Sequence, residues 1–175
     1  MGTGIFLQRL LAQWPEIEVY GVDASEDMLV QARIALRGQP HVHLERAQIG
    51  PGETAGLPYA PGTFDLITCT NVLHDLLDAE AALSGLRRLL VPGGQLVVED
   101  FARRGSPFPW AVFEWLLRRI ERNHVYAYTL DEAQSLCERV GLPVANGKVF
   151  AIDWFWRGWV VRAYRTSPQV IPANV

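Results

Sequence analysis

Apolar residues recur along the chain with two alternating periods, which predicts helices and strands in turn. A spacing of three to four residues predicts helices at 5–14, 26–36 and 79–90. Short apolar runs predict strands at 18–23, 42–45, 64–69 and 95–98. Strands that alternate with helices in this way are typical of an α/β fold, a doubly wound and mostly parallel sheet. The first helix is expected to present one side consisting of Ile5, Phe6, Leu10, Leu11 and Trp14.

The last third of the chain has a different pattern. An apolar stripe predicts a long helix with Trp110, Phe113, Leu117 and Ile120 on one face. Thr129 and Glu132 have the spacing of a capping box, so a helix is expected to begin there and to end at Gly141. The runs 149–154 and 159–164 predict an antiparallel strand pair joined near Arg157 and Gly158. The strand at 64–69 is apolar enough to be buried on both faces.

Length and charge narrow the classes of function. The 175 residues suit a single domain at 1–166, with a candidate lid insert at 101–128 and a loose tail at 167–175. A net charge of -3 argues against nucleic acid as a partner, because phosphates require a basic surface. The two cysteines are far apart, so neither a metal site nor a disulfide is expected. Without a membrane-length apolar run or a basic leader, the chain is expected to be cytoplasmic.

Two features near the N-terminus are candidates for ligand binding. Gly2, Thr3 and Gly4 precede the first helix, where backbone N–H groups can face a ligand. Asp23 ends the first predicted strand, and a carboxylate there can accept hydrogen bonds from both hydroxyls of a ribose. The alternatives are a plain turn for the glycines and a helix N-cap for Asp23, although Ser25 competes for that cap.

Five short motifs in order resemble those of one enzyme family. They are Gly-Thr-Gly at 2–4, Val-Asp-Ala-Ser at 22–25, Leu-Pro-Tyr at 57–59 with Phe-Asp-Leu at 64–66, Val-Leu-His at 72–74, and Leu-Val-Pro-Gly-Gly at 90–94. Together they resemble the class I S-adenosylmethionine-dependent methyltransferases, in particular the small-molecule branch that includes quinone methyltransferases. The resemblance covers residues 2–100 and implies a Rossmann-like fold, S-adenosyl-L-methionine as cofactor and a small-molecule acceptor.

The resemblance also implies roles for individual residues. Gly2, Thr3 and Gly4 would pass beside the methionine part of the cofactor, Asp23 would bind the ribose, and Ala24 would lie next to the adenine. Asn71 and His74 would line the zone of methyl transfer. The acceptor of the adenine amino group is either Gln48 or Glu53, because the loop between the motifs is longer than usual and both side chains carry a suitable oxygen.

His74 is the candidate catalytic base, since a hydroxyl acceptor must lose its proton and imidazole titrates near neutral pH. A polar lining role for His74 is the alternative, and Asp75 is a candidate to orient the ring. Aromatic residues in the C-terminal third favour a planar or apolar acceptor; they are Trp110, Trp115, Tyr126, Tyr128, Trp154 and Trp156.

The family places a strand before the glycine turn, whereas this chain begins inside the turn. The expectation is therefore a sheet without its central strand, from a truncation, with unpaired strand edges that destabilise it. Three alternatives to a methyltransferase follow: a non-catalytic partner subunit, a truncated inactive fragment, or a nucleotide-dependent oxidoreductase. The third glycine of a dinucleotide fingerprint is absent, because Phe6 occupies its position. Whether the chain forms a homo- or hetero-oligomer stays open.

Overall fold

The computed structural model describes residues 1–50, 55–103, 112, 115, 119, 125–154 and 156–167. Its helices and strands, in chain order, are α1 (Ile5–Gln13), β1 (Val19–Asp23), α2 (Glu26–Ala35), β2 (Val42–Arg46), β3 (Phe64–Thr70), a 3₁₀ turn (Leu73–Asp75), α3 (Ala79–Leu89), β4 (Leu90–Phe101), α4 (Leu130–Arg139), β5 (Val144–Ala151) and β6 (Arg157–Tyr164). The stripe through Trp110, Phe113, Leu117 and Ile120, and most of the candidate lid insert, lie outside the described residues.

The strands form two sheets in two compact units, residues 1–49 and 50–175. In the first unit β1 and β2 are parallel. In the second the strand order is β3-β4-β6-β5, with β3 and β4 parallel and the other two pairs antiparallel. Parallel strands with helical crossovers and an antiparallel C-terminal pair confirm the predicted α/β class. β1 and β3 each pair with one strand among the described residues.

The small core of the first unit corrects the predicted face of α1. Leu7 and Leu11 are buried and pack with Val19, Ala32 and Leu36. The residues expected to share that side are largely at the surface instead: Ile5, Phe6 and Trp14 are 55%, 47% and 54% exposed. Leu11 was predicted on the buried side and is buried, and Leu10 packs against the core, whereas Leu7 was not predicted. The apolar residues of α1 cover most of its circumference, so periodicity alone selected only part of the buried face.

The second unit is organised around β4 and β6. Alternate residues of β4 point into the core, namely Gly94, Leu96, Val98 and Asp100, as the two-residue period of a strand requires. Trp159 of β6 is fully buried opposite Asp100. β3 was expected to be buried on both faces, which is wrong: Leu66 is 47% exposed and Cys69 is the fully buried position. The reason is its place at the edge of this sheet.

The helix α4 begins and ends as its sequence predicts, whereas the limits of the β5–β6 hairpin differ from the prediction. Thr129 and Glu132 form the predicted capping box at the start of α4, and Gly141 follows the helix with a φ of +74°. The antiparallel pair forms as predicted, but β5 starts at Val144 and ends at Ala151, and β6 starts at Arg157, so Gly158 lies within a strand rather than in the turn. Gly158 lies inside the pair because the ring of Phe150 packs over it, leaving no room for a Cβ.

We expect replacement of Thr129 by alanine to lower the free energy of unfolding by about 1 kcal/mol, because the Glu132 N–H loses its capping acceptor. Urea denaturation followed by circular dichroism measures the change. Ser135→Ala, at an exposed position of the same helix, is the matched control and should not lower stability, because alanine has the higher helix propensity. Equal stability of the Thr129→Ala variant and the wild type would show that the cap contributes nothing.

In the part of the chain that the structure describes, no helix has the length and apolar character needed to cross a membrane.

Candidate functional site

The glycine turn and Asp23, predicted as parts of one ligand site, are in direct contact in the first unit. The Gly2 N–H donates to Oδ2 of Asp23 over 2.8 Å, and the Ser25 N–H donates to Oδ1 over 2.9 Å. Ser25 itself caps α2, its hydroxyl accepting from the Met28 N–H. The N-cap alternative for Asp23 is therefore wrong. The Met1 amino group lies 3.4 Å from Oδ2 as well. Each carboxylate oxygen has two lone pairs, so Oδ1 retains acceptor capacity for a ligand.

The charge state of Asp23 suits the recognition of hydroxyl groups. Burial acts to raise the pKa of this carboxyl group, but the backbone N–H groups of Ser25 and Gly2 stabilise the anion and lower the pKa overall. The side chain is 18% exposed, so a ligand can reach it. At neutral pH Asp23 is an ionised acceptor at the carboxyl end of β1, the location at which parallel sheets bind ligands.

At Gly4 the backbone of the turn passes close to α2, which leaves little room for a side chain. Gly4 has a φ of +83°, and a Cβ there would lie 3.2 Å from the Ala32 Cα. It begins α1 without a side-chain cap, so no capping side chain competes with a ligand for the first N–H groups of the helix. A glycine turn that leads into the uncapped first N–H groups of α1, beside an ionised acid, fits an adenosyl amino acid.

The other residues predicted to bind the cofactor are Thr3, Ala24 and either Gln48 or Glu53. Thr3 lies between the two glycines in the turn. The Ala24 carbonyl accepts from Nε of Arg46 over 3.2 Å, which ties the residue after Asp23 to the end of β2. Gln48 is exposed two residues beyond β2, whereas Glu53 lies outside the described residues. The choice between Gln48 and Glu53 stays open.

In the second unit His74 is held by a buried carboxylate. Oδ1 of Asp100 lies 2.7 Å from Nδ1 of His74, and Oδ2 accepts from the His74 backbone N–H over 3.0 Å. The Phe101 N–H also donates to Oδ1, over 2.7 Å. In the tautomer with its proton on Nδ1, His74 donates to Asp100 and has Nε2 as the nitrogen that can accept a proton. A histidine oriented in this way is compatible with both roles predicted for it, a base and a polar lining residue.

Asp100 is the functional candidate that sequence reasoning missed. Its side chain is 1% exposed, and it is the only buried carboxylate among the residues that the structure describes. The signal was present in β4, where the alternation of Leu96 and Val98 places Asp100 on the buried face. A buried charge is costly unless it is paired, so its position predicts a partner such as His74.

Asp75 and Asn71 lie on either side of His74 in the chain. Oδ1 of Asp75 is 3.2 Å from Nε2 of His74, so these neighbours do meet within the 3₁₀ turn. The Asp75 side chain is 40% exposed and the Asp100 contact is shorter, so Asp100 is the residue that orients the ring. Asn71 has a φ of +52° and its N–H donates to the Glu99 carbonyl, which fixes it at the end of β3.

A polar cluster lies at the start of α4. Glu132 accepts hydrogen bonds from Arg103, at 2.6 Å, and from the Tyr126 hydroxyl, at 2.8 Å. The Arg103 guanidinium lies over the Tyr126 ring, and the backbone N–H groups of Val125 and Tyr126 donate to the His74 carbonyl. The cluster therefore fixes the chain next to His74. A shallow groove of about 490 Å³ beside it is lined by Tyr126, Tyr128, Asp131, Glu132, Ser135, Leu136 and Arg139.

Other reactive groups of the described residues do not form a centre. Cys69 and Cys137 are buried thiols, and burial raises the pKa of Cys69 to about 12 and that of Cys137 to about 11. Both are protonated at neutral pH and make poor nucleophiles. No cluster of three metal-ligating side chains occurs among the residues described.

The amino-acid sequence is similar to those of known methyltransferases. A sequence model described as a methyltransferase domain matches residues 1–96. The ubiquinone/menaquinone biosynthesis C-methyltransferase UbiE of Geobacter sulfurreducens is 28% identical over 120 residues, covering 68% of this chain and 46% of that protein. The demethylmenaquinone methyltransferase of Deinococcus radiodurans is 32% identical over 120 residues, covering 68% and 48%. The chain thus spans about half the length of these relatives.

Among solved structures, a SAM-dependent methyltransferase of Methanosarcina mazei superimposes with a TM-score of 0.75 at 14% identity, covering 95% of this chain and 89% of that one. At this identity the likeness shows the fold, which is the predicted Rossmann-like methyltransferase fold.

Proposed function

The chain belongs to the methyltransferase domain family, and from this premise we propose that it transfers a methyl group from S-adenosylmethionine to a small aromatic acceptor that carries a hydroxyl group. The single observation that carries the proposal is the contact between His74 and the buried Asp100, in which Nδ1 lies 2.7 Å from Oδ1. Family membership alone does not require a base, whereas a hydroxyl acceptor does.

The first unit supplies the groups that hold the cofactor. S-adenosylmethionine, when bound, provides an electrophilic methyl group on a sulfonium. Gly2, Thr3 and Gly4 accommodate its amino-acid part, because the turn has no side chain at its two glycines and presents backbone N–H groups. Asp23 accepts hydrogen bonds from the ribose hydroxyls as an anion, a state favoured by its lowered pKa. Ala24 and either Gln48 or Glu53 are the candidates for contact with adenine. Asn71 is the candidate to line the zone of methyl transfer.

His74 and Asp100 supply the acid–base chemistry. Nε2 of His74 takes the proton of the acceptor hydroxyl, and the carboxylate of Asp100 stabilises the positive charge that the ring then carries. Removal of that proton makes the oxygen, and through conjugation the ring carbon beside it, more nucleophilic. Asp75 is exposed enough for its carboxylate to move away from Nε2 when an acceptor binds.

The proposed class of acceptor is taken from the names of two similar proteins. The Geobacter sulfurreducens protein is named as a C-methyltransferase of ubiquinone and menaquinone biosynthesis, and the Deinococcus radiodurans protein is named as a demethylmenaquinone methyltransferase. A reduced quinone is an aromatic ring with hydroxyl groups, which matches a site with a histidine base. Carbon methylation of a hydroquinone is therefore the finer proposal for this chain.

Incubation of the chain with methyl-labelled S-adenosylmethionine and a reduced naphthoquinone tests the proposal. We expect label to enter an organic-extractable product whose mass exceeds that of the acceptor by one methylene. An exposed-site variant, His41→Gln, is the matched control and should incorporate the same amount. A chain that binds S-adenosylhomocysteine but labels no hydroquinone would overturn the acceptor class.

One alternative has an observation in its favour. β1 and β3 each have one strand partner among the described residues, which is consistent with a non-catalytic methyltransferase-like subunit that pairs with another chain. Stable association with another chain, together with a failure to bind cofactor, would favour this alternative.

A further inference from the structure

Two aromatic rings, those of Phe101 and Trp156, follow one another away from the candidate base His74. The His74 and Phe101 rings meet edge to face, with centroids 5.9 Å apart and planes at 67°. The Phe101 and Trp156 rings follow, with centroids 5.5 Å apart and planes at 56°. Both Phe101 and Trp156 keep part of their apolar surface exposed. Large rings that stay partly exposed beside a base offer contact area to an apolar ligand.

The backbone holds these rings at the end of the sheet. Phe101 is the last residue of β4 and pairs with Gly158, which in turn pairs with Phe150 of β5. Directly opposed residues of antiparallel strands share a face, so Phe101, Gly158 and Phe150 lie in one row. Because Gly158 has no side chain, the Phe150 ring packs over it at 2.6 Å from the position of a Cβ. The row therefore presents phenyl rings on the face opposite to buried Asp100.

Trp156 reaches this row from the turn between β5 and β6. Its carbonyl accepts from the backbone N–H groups of Ile152 and Asp153, and its own N–H donates to the Asp153 carboxylate. All three bonds use the backbone of Trp156, so the turn can form without the indole ring. Replacement of the indole therefore leaves these three backbone bonds in place.

We infer that Phe101 and Trp156 form the wall that binds the ring of the acceptor next to His74, and so determine specificity for aromatic acceptors. The inference rests on the proposed function and adds the residues that recognise the substrate. Aromatic side chains bind a planar ring by edge-to-face and offset-stacked contacts, which a saturated acceptor of equal size cannot reproduce. Asp100 cannot take part in this contact, because it points to the other face of β4.

Calorimetric titration with 2-methyl-1,4-naphthoquinone at saturating S-adenosylhomocysteine tests the inference. We expect Phe101→Leu and Trp156→Leu each to weaken naphthoquinone binding about tenfold, and Trp156→Phe to restore most of the affinity. The matched control is Trp154→Leu, since Trp154 belongs to the same turn and is 90% exposed; its affinity should equal that of the wild type. Each variant should bind S-adenosylhomocysteine as the wild type does, and circular dichroism should show that it is folded.

Two results would overturn the inference. One is wild-type affinity for the naphthoquinone in both leucine variants, or an equal loss in Trp154→Leu. The other is a wild-type chain that binds S-adenosylhomocysteine but not the naphthoquinone, in which case the acceptor is not aromatic and methyl transfer still stands. Loss of S-adenosylhomocysteine binding in the wild type would instead contradict the proposed function itself.

Discussion

Replacing His74 with glutamine lowers kcat for methyl transfer by about 10²- to 10⁴-fold and leaves the affinity for S-adenosylhomocysteine unchanged. Glutamine keeps a polar side chain of similar reach but cannot take a proton at neutral pH. Steady-state kinetics with the reduced naphthoquinone measures the effect, and His41→Gln is the control for loss of an exposed histidine. A His74→Gln variant with wild-type kcat would show that His74 lines the site without acting as a base.

Asp100 provides a second test of the same pair. Asp100→Asn keeps one acceptor oxygen but loses the charge that stabilises protonated His74, so it should also reduce kcat. Since the two residues act together, the double variant should be no slower than His74→Gln alone. Asp100→Asn also leaves a buried N–H group imperfectly paired, at a cost of about 1–3 kcal/mol in stability. Urea denaturation of each variant separates this cost from the effect on rate. Additive losses in kcat would contradict the pairing.

Replacing Asp23 with alanine weakens the binding of S-adenosylhomocysteine about 100-fold, which corresponds to the loss of hydrogen bonds to a charged acceptor worth about 3 kcal/mol in total. Calorimetric titration measures the change. Asp27→Ala, in the exposed first turn of α2, is the matched control and should bind as the wild type does. Unchanged affinity in Asp23→Ala would place the ribose site elsewhere.

Asp23 also contributes to stability, with a defined dependence on pH. Its folded-state pKa is lowered, so the contribution is fully present above the unfolded-state pKa of about 3.9 and is lost as the pH falls through the folded-state pKa. Asp23→Ala should therefore be less stable than the wild type at neutral pH, and the difference should shrink in acid. Circular dichroism must accompany the titration so that loss of binding is not confused with loss of fold.

Elements with strong local signals could be predicted from the sequence. α2 and α4 begin at the predicted caps, Ser25 and Thr129, because a capping hydroxyl and its N–H partner are only three residues apart. The contact between the glycine turn and Asp23 was also predictable, since both lie at strand and helix ends that meet at one edge of a parallel sheet.

Features that depend on distant contacts could not be predicted in the same way. Leu7 and Leu11 are the buried residues of α1 because of how they meet α2 and β1, which periodicity does not reveal. The limits of the β5–β6 hairpin depend on Phe150 packing over Gly158. Asp100 was overlooked because its partner His74 is 26 residues away and belongs to another element.

Calorimetric titration of the purified chain with S-adenosylhomocysteine tests the cofactor site most directly. The arrangement of Gly2, Gly4 and ionised Asp23 predicts one site per chain with a dissociation constant in the micromolar range. A folded chain that releases no heat and shows no binding at millimolar ligand would contradict the assignment of S-adenosylmethionine as cofactor, and with it the proposed methyl transfer.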